Sequence, residues 1–247
     1  MTLRIERHDA VARIVLSRPE RHNAQNPDMW RNLRAAGAGL AGDESVRVVV
    51  LAGDGPSFSS GLDLGELAPD GFLGRMPGLS AEEAMAAIRA AQEAFTWIES
   101  APFPVIAAVH GNALGAGFQL ALACDFRIVT EDARLALAEM PRGLVPDLGA
   151  TSTLPRLIGM ERALELILTG RRIDGAEAVR LGLALRCVPA ENLEEESMNY
   201  ARSLAKAPRA ALAHAKAATY EPDGARSLRI AAAGQVECVR ALLPERG

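Results

Sequence analysis

Two glycine-containing loops are the first candidates for chemistry, because each follows a continuous apolar run typical of a buried strand. "RVVVL" precedes "SFSSGLDL" at 57–64, and "PVIAAV" precedes "HGNALGAGFQ" at 110–119. In the second loop Gly111, Gly115 and Gly117 open an apolar helix, whose first N–H groups have no partner within the helix. Together the loops could present two N–H donors to one oxygen, with a helix dipole behind them, which indicates stabilisation of an oxyanion. The alternative is that these are ordinary glycines at helix entries; the order of their spacing is not that of a dinucleotide-binding G-x-G-x-x-G.

Two carboxylates follow a short apolar strand in "LALAEMPRGLVPDLGA": Glu139 ends the strand, and Asp147 lies between Pro146 and Leu148. A carboxylate at the end of an apolar strand is costly to desolvate unless it is paired or used in chemistry. For Glu139 the structural alternative is an ion pair with Arg142 or Arg134, and we favour a role in proton transfer. For Asp147 a cap on a helix beginning near Gly149 is an equally good interpretation.

Other residues that could carry chemistry have simpler interpretations. His110 ends a buried strand and is expected to be a hydrogen-bonded structural residue, and Cys124 lies at the end of an apolar helix as an inert thiol. Asp63 is expected to cap a helix rather than to catalyse. The sequence contains no G-x-S-x-G, so a serine hydrolase has little support.

The composition is that of a soluble globular protein: 247 residues, 49% of them hydrophobic and 23% charged. A formal net charge of −4 gives no general attraction to nucleic acid or to an anionic membrane. Three cysteines without paired spacing argue against a disulfide framework and a zinc site, and predict a reduced, cytoplasmic setting. The N-terminal residues alternate charged and apolar types, so we expect no signal peptide, and no later run has the length of a membrane span.

The elements that must position these residues follow from the hydrophobic pattern. It predicts a hairpin from Leu3–Arg7 and Val11–Leu16, a helix over Asp28–Leu40, and buried strands at Arg47–Leu51 and Pro104–Val109. Ser80 and Glu83 form a capping box at the start of a helix that reaches Glu99. Short strands at 125–130 and 134–138 precede a helix that carries "ATSTLPRLI".

Strand pairs followed by helices recur along the first 190 residues, which favours an α/β spiral of strand–strand–helix units over a doubly wound sheet. Beyond them the composition shifts to Ala, Glu, Arg and Leu at helical spacing, with breaks at "KAPRA" and "EPDGA". We therefore divide the chain into a spiral core, 1–190, and a helical C-terminal region, 191–247, of the kind that packs against a neighbouring molecule.

In five blocks the sequence resembles the crotonase superfamily, also called the enoyl-CoA hydratase/isomerase family. The blocks occur in the family's order: "LSRPERHNAQNPDM", "RVVVLAGDGPSFSSGLDLGEL", "PVIAAVHGNALGAGFQLALACDFRIV", "LALAEMPRGLVPDLGATSTLPRLIG" and "ALELILTGRRIDGAEAVRLGL". The resemblance implies the crotonase-like spiral, an acyl-CoA thioester as substrate, and no cofactor or metal beyond the coenzyme A of that substrate. It also implies a homotrimer, or a hexamer of paired trimers, assembled through the C-terminal helices.

The resemblance assigns roles to the loops. The backbone N–H groups of Leu62 and Ala116 would form the oxyanion hole for the thioester carbonyl. A side chain in place of Gly111, Gly115 or Gly117 would crowd that thioester. Ser59 and Ser60 would contact the adenine end of coenzyme A, and Arg21 would lie near its phosphates. The wall of the acyl pocket is expected to include the segment 66–79 and three residues of the following helix, Met85, Phe95 and Trp97.

The type of reaction depends on Gln119. Hydratases of the family carry glutamates at the positions of Gln119 and Glu139, and an amide cannot replace a general base. Dienoyl-CoA isomerases of the family carry carboxylates at the positions of Glu139 and Asp147, as this chain does, and an Asp where Gln119 stands. Three functions remain: a double-bond isomerase, which we favour, an enoyl-CoA hydratase using Glu139 alone, and a catalytically weak acyl-CoA-binding protein.

Overall fold

The computed structural model describes residues 2–243 of the chain. Within them the strands are β1 Leu3–His8, β2 Val11–Leu16, β3 Val48–Gly53, β4 Val105–Val109, β5 Asn112–Leu114, β6 Phe126–Thr130, β7 Arg134–Ala136 and β8 Arg186–Val188. The α-helices are α1 Pro27–Ala41, α2 Ala81–Ser100, α3 Ala116–Ala123, α4 Ala150–Ile158, α5 Met160–Thr169, α6 Gly175–Leu181, α7 Leu193–Leu204, α8 Arg209–Tyr220 and α9 Gly224–Leu242. Short 3-10 turns cover Pro19–Arg21, Leu64–Leu67, Met76–Gly78, Met140–Arg142 and Ala190–Asn192.

The main sheet has six strands in the order β1-β2-β3-β4-β6-β8. β1 and β2 form the antiparallel hairpin, and every other neighbouring pair in this sheet is parallel. Strands β5 and β7 form a second, two-stranded parallel sheet. Successive β4–β5–α3 and β6–β7–α4 segments are thus the strand–strand–helix units that the sequence predicts, and the α/β spiral is confirmed.

The central strands are buried on both faces because they separate two hydrophobic cores. In β3, Val49 and Leu51 belong to one core, and Val48 and Val50 belong to the other. Helices α1 to α5 contribute to the first core, and α7 covers the second through Leu193, Met198 and Ala201. This two-sided burial explains why the strand is a continuous apolar run rather than an alternating one.

Most of the predicted elements are present with shifts of one or two residues at their ends. The Ser80–Glu83 capping box forms as expected, and α4 coincides with "ATSTLPRLI". The breaks at "KAPRA" and "EPDGA" separate α7, α8 and α9. Strands β5 and β8 were not predicted, because each has three residues and exists through its pairing with β7 or β6.

The C-terminal helices form two kinds of packing contact, one with the main sheet and one with each other. Helix α7 packs on the main sheet, and α8 and α9 pack against each other. The division at residue 190 and the role of 191–247 in assembly remain predictions. No helix within residues 2–243 is both long enough and apolar enough to cross a membrane.

A buried ion pair fixes α8 to the core. Lys216 Nζ lies 2.8 Å from Asp125 Oδ2 and donates to the carbonyls of Ile98 at 2.5 Å and Phe103 at 3.0 Å. Tyr220 donates its hydroxyl to the other Asp125 oxygen at 2.9 Å. Burial lowers the pKa of Lys216, and Asp125 opposes that shift. Because every donor in this cluster meets an acceptor, the cluster holds a charge in the interior.

We expect Lys216→Met to destabilise the protein by about 3 kcal/mol, because it leaves Asp125 buried without its cation. Lys206→Met is the matched control, since Lys206 is exposed. Urea denaturation followed by circular dichroism measures both variants. Equal stability of the two variants would contradict a structural role for the ion pair.

Candidate active site

The candidate site is a cavity of about 670 Å³ between the glycine loops, the start of α4 and the segment 64–76. Seven of the eight residues predicted for the site line it: Arg21, Ser60, Leu62, Ala116, Gln119, Glu139 and Asp147. These residues come from five separate stretches of the chain, and the fold brings them together.

Ser59 is the exception, because it is fully buried beneath the cavity wall. Its hydroxyl donates to the Asn23 carbonyl at 2.8 Å, and its backbone N–H and carbonyl pair with Asn112 and Leu114. All of its polar groups are therefore used inside the protein. The expected contact with coenzyme A does not fit this position, whereas Ser60 and Arg21 lie at the cavity as expected.

The glycines let the two loops pack directly against each other. Gly61 has φ +91°, and a Cβ there would lie within 3 Å of the Leu114 carbonyl. A Cβ at Gly117 would lie within 3 Å of the Ser59 carbonyl. The expectation that a side chain would crowd the substrate is therefore wrong for Gly111 and Gly117, because their nearest neighbours are backbone atoms of the opposite loop. A Cβ at Gly115, in contrast, would lie 3.2 Å from Glu139 Oε1 at the cavity.

The backbone N–H groups of Leu62 and Ala116 lie at the cavity, and neither has a backbone acceptor among residues 2–243. Ala116 is the first residue of α3, so its N–H lies at the positive end of the helix dipole. The two loops approach so closely that a Cβ at Gly61 would lie 3.4 Å from Ala116 N. The arrangement offers two neighbouring donors to an oxygen in the cavity.

Glu139 precedes the 3-10 turn Met140–Arg142 and does not form the ion pair that was the structural alternative to a role in proton transfer. No Lys or Arg of the described chain lies within salt-bridge distance of its carboxylate; Arg142 instead donates to the Ala138 carbonyl at 2.6 Å. Gln119 Nε2 donates to Glu139 Oε1 at 2.8 Å, while Oε2 is buried and has no partner in residues 2–243. Burial raises the pKa of Glu139, and the Gln119 hydrogen bond opposes the rise. Because burial raises its pKa and one oxygen is unpaired, this carboxylate is a stronger base than an exposed one and can accept a proton and return it.

Gln119 is buried, and its amide is held at both ends. Its oxygen accepts from the N–H groups of Leu148 at 2.9 Å and Ala150 at 3.3 Å, and its nitrogen donates to Glu139. The bonds to Leu148 and Ala150 fix which end of the amide faces Glu139. Gln119 therefore orients the carboxylate and joins α3 to the start of α4.

Asp147 lines the cavity and does not cap α4. Gly149 is at the N-cap of that helix, which has no side-chain cap, so the capping interpretation is wrong. Burial raises the pKa of Asp147, and its charge contributes to raising that of Glu139. Asp147 is thus a second carboxyl group at the same cavity.

The apolar wall comes mainly from the segment predicted to supply it, through Leu67, Phe72, Leu73 and Met76. Helix α2 contributes Ile88 instead of the three expected residues; Phe95 lies in the core, and neither Met85 nor Trp97 lines the cavity. The remaining wall residues include Trp30, Leu144, Val145 and Leu148, which the sequence analysis missed. Leu144 and Val145 follow Glu139 closely, so proximity to it was the available signal, whereas nothing in the sequence marks Trp30.

The minor candidates behave as expected. Asp63 caps the turn Leu64–Leu67 by accepting from Gly65 N–H at 3.1 Å, and His110 hydrogen-bonds the Gly55 carbonyl at 2.8 Å. Cys124 is buried, which raises the pKa of its thiol to about 12. The described part of the chain has no cluster of three or more His, Cys, Asp or Glu residues that could hold a metal ion.

Sequence and structure comparisons show which known proteins this chain is similar to. The model of the enoyl-CoA hydratase/isomerase family matches residues 6–235. A "probable enoyl-CoA hydratase" of Rhizobium meliloti is 36% identical over 83% of this chain and 75% of its own length. The peroxisomal Delta(3,5)-Delta(2,4)-dienoyl-CoA isomerase of Arabidopsis thaliana is 38% identical over 70% of this chain and 64% of its own. A crystal structure of a "putative enoyl-CoA hydratase" from Thermobifida fusca YX with acetoacetyl-CoA superposes with a TM-score of 0.89, at 38% identity over 97% of this chain and 95% of that one.

We expect Glu139→Gln to stabilise the protein at neutral and alkaline pH. Because the folded-state pKa of Glu139 is raised, the ionised carboxylate costs stability above that pKa, and the cost disappears below the ordinary value of 4.5, where both states are protonated. The gain in melting temperature over wild type should therefore be largest near about pH 8 and fade near about pH 4. Glu161→Gln on the exposed face of α5 is the control, and the same shift in both variants at both pH values would show that burial of Glu139 is not the cause.

Proposed function

This chain belongs to the enoyl-CoA hydratase/isomerase family and is an acyl-CoA enzyme, and on that premise we propose that it moves a double bond in an enoyl- or dienoyl-CoA thioester. The observation that carries the proposal is the single free oxygen of Glu139, Oε2, buried at a cavity where the Gln119 amide is already held by Glu139, Leu148 and Ala150. One carboxyl group with a free oxygen can move a proton from one carbon to another.

The thioester carbonyl is placed between the N–H groups of Leu62 and Ala116. When a carbon conjugated to the carbonyl loses a proton, the electron pair of the broken C–H bond moves toward the carbonyl oxygen, and an enolate forms. Two fixed donors stabilise that charge without reorganising, and loss of one such donor typically costs about 3 to 4 kcal/mol of transition-state stabilisation. The coenzyme A moiety would extend toward Ser60 and Arg21 at the cavity wall.

Glu139 Oε2 takes the proton and returns it to a different carbon of the same enolate. The electron pair then leaves the oxygen, the double bond forms at its new place, and Glu139 is again ionised, so no atom is gained or lost. In a dienoyl substrate the carbon that loses the proton and the carbon that gains one are farther apart. Asp147 supplies a second carboxyl group on the cavity wall for such a substrate. Burial raises the pKa of both groups, which makes each carboxylate a stronger base for this exchange than an exposed one.

Hydration by Glu139 alone is the second candidate, and the Rhizobium meliloti relative named as a hydratase favours it. Water addition needs a group that activates water and a source of the proton added to the α-carbon, and Gln119 has no proton equilibrium near pH 7. The remaining N–H of Gln119 Nε2 could still hold a water. A protein that only binds acyl-CoA is the third candidate, and the unpaired buried carboxyl of Glu139 argues against it, because its cost in stability would then serve no reaction.

Product analysis separates the three candidates. We would supply 3-enoyl-, 3,5-dienoyl- and 2-enoyl-CoA thioesters of matched chain length and follow the products by absorbance of the conjugated thioester and by mass. A shifted double bond without a change in mass supports isomerisation. A product heavier by one water establishes hydration, and binding without turnover establishes the third candidate.

We expect Glu139→Gln to lower turnover by roughly a hundred- to ten-thousand-fold, because the exchange needs a carboxylate that moves a proton. In the wild type kcat/KM should fall as the pH drops below the raised pKa of Glu139, since the base must be ionised. Glu161→Gln should retain wild-type rates. Near-normal turnover in Glu139→Gln would show that a group other than Glu139 transfers the proton.

We expect Gln119→Glu to shift the acidic limb of kcat/KM to higher pH and to raise hydration relative to isomerisation. Its carboxylate would keep the bonds to Leu148 and Ala150, so that its second oxygen would replace the donor 2.8 Å from Glu139 Oε1. Two such carboxylates share one proton, which raises a pKa and provides an acid beside a base. Gln235→Glu on the exposed side of α9 is the control, and an unchanged pH profile and product ratio would contradict this account of Gln119.

A further inference from the structure

We infer that Gln25 and Trp30 are positioning residues that hold the Leu62 N–H toward the cavity. The inference rests on the proposed function, in which that N–H meets the thioester oxygen. Trp30, Gln25 and Ser59 form a hydrogen-bonded chain that links the apolar wall to the loop carrying Leu62; we call these three residues the indole relay.

The backbone of Gln25 sets the direction of the Leu62 amide. Gln25 N–H donates to the Gly61 carbonyl at 2.7 Å, and Asp63 N–H donates to the Gln25 carbonyl at 2.8 Å. Residues 25 and 62 thus form an isolated parallel bridge. In this bridge Gln25 bonds with the carbonyl of Gly61 and the N–H of Asp63, and not with the N–H of Leu62. Along an extended strand successive amides point to opposite edges, so the Leu62 N–H points away from Gln25.

The side chain of Gln25 is fixed by the relay. Its oxygen accepts from the Trp30 indole Nε1–H at 2.9 Å, and its Nε2 donates to Ser59 Oγ at 3.2 Å. Ser59 Oγ in turn accepts from Gly61 N–H at 3.3 Å, one residue before Leu62. Gln25 and Ser59 have no exposed surface, and Trp30 is 5% exposed.

Burial makes this orientation the favoured one. If the Gln25 amide turned over, its NH₂ group would face the Trp30 N–H and its oxygen would face Ser59, leaving the indole donor without an acceptor in a dry environment. The Trp30 ring is itself held by edge contact with Phe72, at 5.1 Å between centroids and 82° between planes. Both rings line the cavity, so the relay begins at the surface that the acyl group meets.

The two donors depend on different supports. Ala116 is held by α3, where Gln119 N–H donates to the Gly115 carbonyl at 2.9 Å, whereas Leu62 lies between β3 and the turn Leu64–Leu67, where neither strand nor helix holds it. Loss of the relay should therefore displace Leu62 and leave Ala116 in place. A displaced donor stabilises the enolate less while the substrate still binds, so the loss appears in kcat rather than in KM.

Trp30→Phe removes the indole N–H and keeps an aromatic ring against Phe72. Gln25→Met removes the amide and keeps the length of a side chain that does not line the cavity. We expect each to lower kcat for isomerisation by roughly ten- to a hundred-fold, with KM within about threefold of wild type. Trp97→Phe is the matched control, because the Trp97 indole donates to Ala94 O at 3.1 Å and its ring lies outside the cavity wall.

Acetoacetyl-CoA gives a second measurement that does not require turnover, because its enolate absorbs in the near ultraviolet and the neutral form does not. Weaker stabilisation of the enolate should raise the apparent pKa of the bound probe by on the order of one unit in both relay variants and in neither the wild type nor Trp97→Phe. Thermal unfolding by circular dichroism confirms that each variant is folded at the assay temperature.

Wild-type kcat and wild-type probe pKa in both folded variants would overturn the inference, as would a loss confined to Trp30→Phe, which would indicate packing of the acyl group alone. A wild type that turns over no enoyl-CoA would refute the proposed function instead. The probe measurement would still test the relay in that case, so the two failures are distinguishable.

Discussion

The contact between the two glycine loops is the constraint on which the site depends. Beyond the ends of β3 and β4 the pairing continues, with Phe58 N–H donating to the His110 carbonyl at 2.9 Å and Ser59 N–H donating to the Asn112 carbonyl at 2.9 Å. Gly61 and Gly117 permit this approach, because a side chain at either would strike the opposite backbone. The two N–H donors therefore have a fixed separation before any substrate arrives, which is the condition for electrostatic stabilisation without reorganisation.

Next to these loops lies the carboxyl group of Glu139, whose ionised form is disfavoured by burial. Glu139 has one oxygen held by Gln119 and one without a partner among residues 2–243, and no Lys or Arg of that range forms an ion pair with it. The Gln119 amide partly offsets the cost of ionisation and exchanges no proton, so together with burial it sets the basicity of Glu139 without competing for the proton. The bonds from Leu148 and Ala150 to the amide oxygen make that setting a property of the fold.

The sequence predicted the features that are local and missed those that arise from distant contacts. The apolar runs of β3 and β4, the Ser80–Glu83 capping box and the glycine turn are each contained in a short stretch, and each was predicted correctly. The orientation of α2 was not, since choosing Ile88 over its neighbours requires knowing which face meets the cavity. Ser59 was assigned to coenzyme A together with Ser60, because a resemblance over a whole stretch does not show which of two adjacent residues is buried. The indole relay joins positions that lie far apart in the chain, and no local pattern indicates it.

The cations at the cavity are both arginines, Arg21 and Arg142. The chain has only two lysines, and one of these, Lys216, is engaged with Asp125 in the interior. A thioester is an acylating agent toward free amines, whereas a guanidinium stays protonated and is not a nucleophile under the same conditions. Positive charge at this cavity therefore attracts an anionic thioester without exposing it to aminolysis, and the enzyme is protected from acylating itself at the place where it holds its substrate.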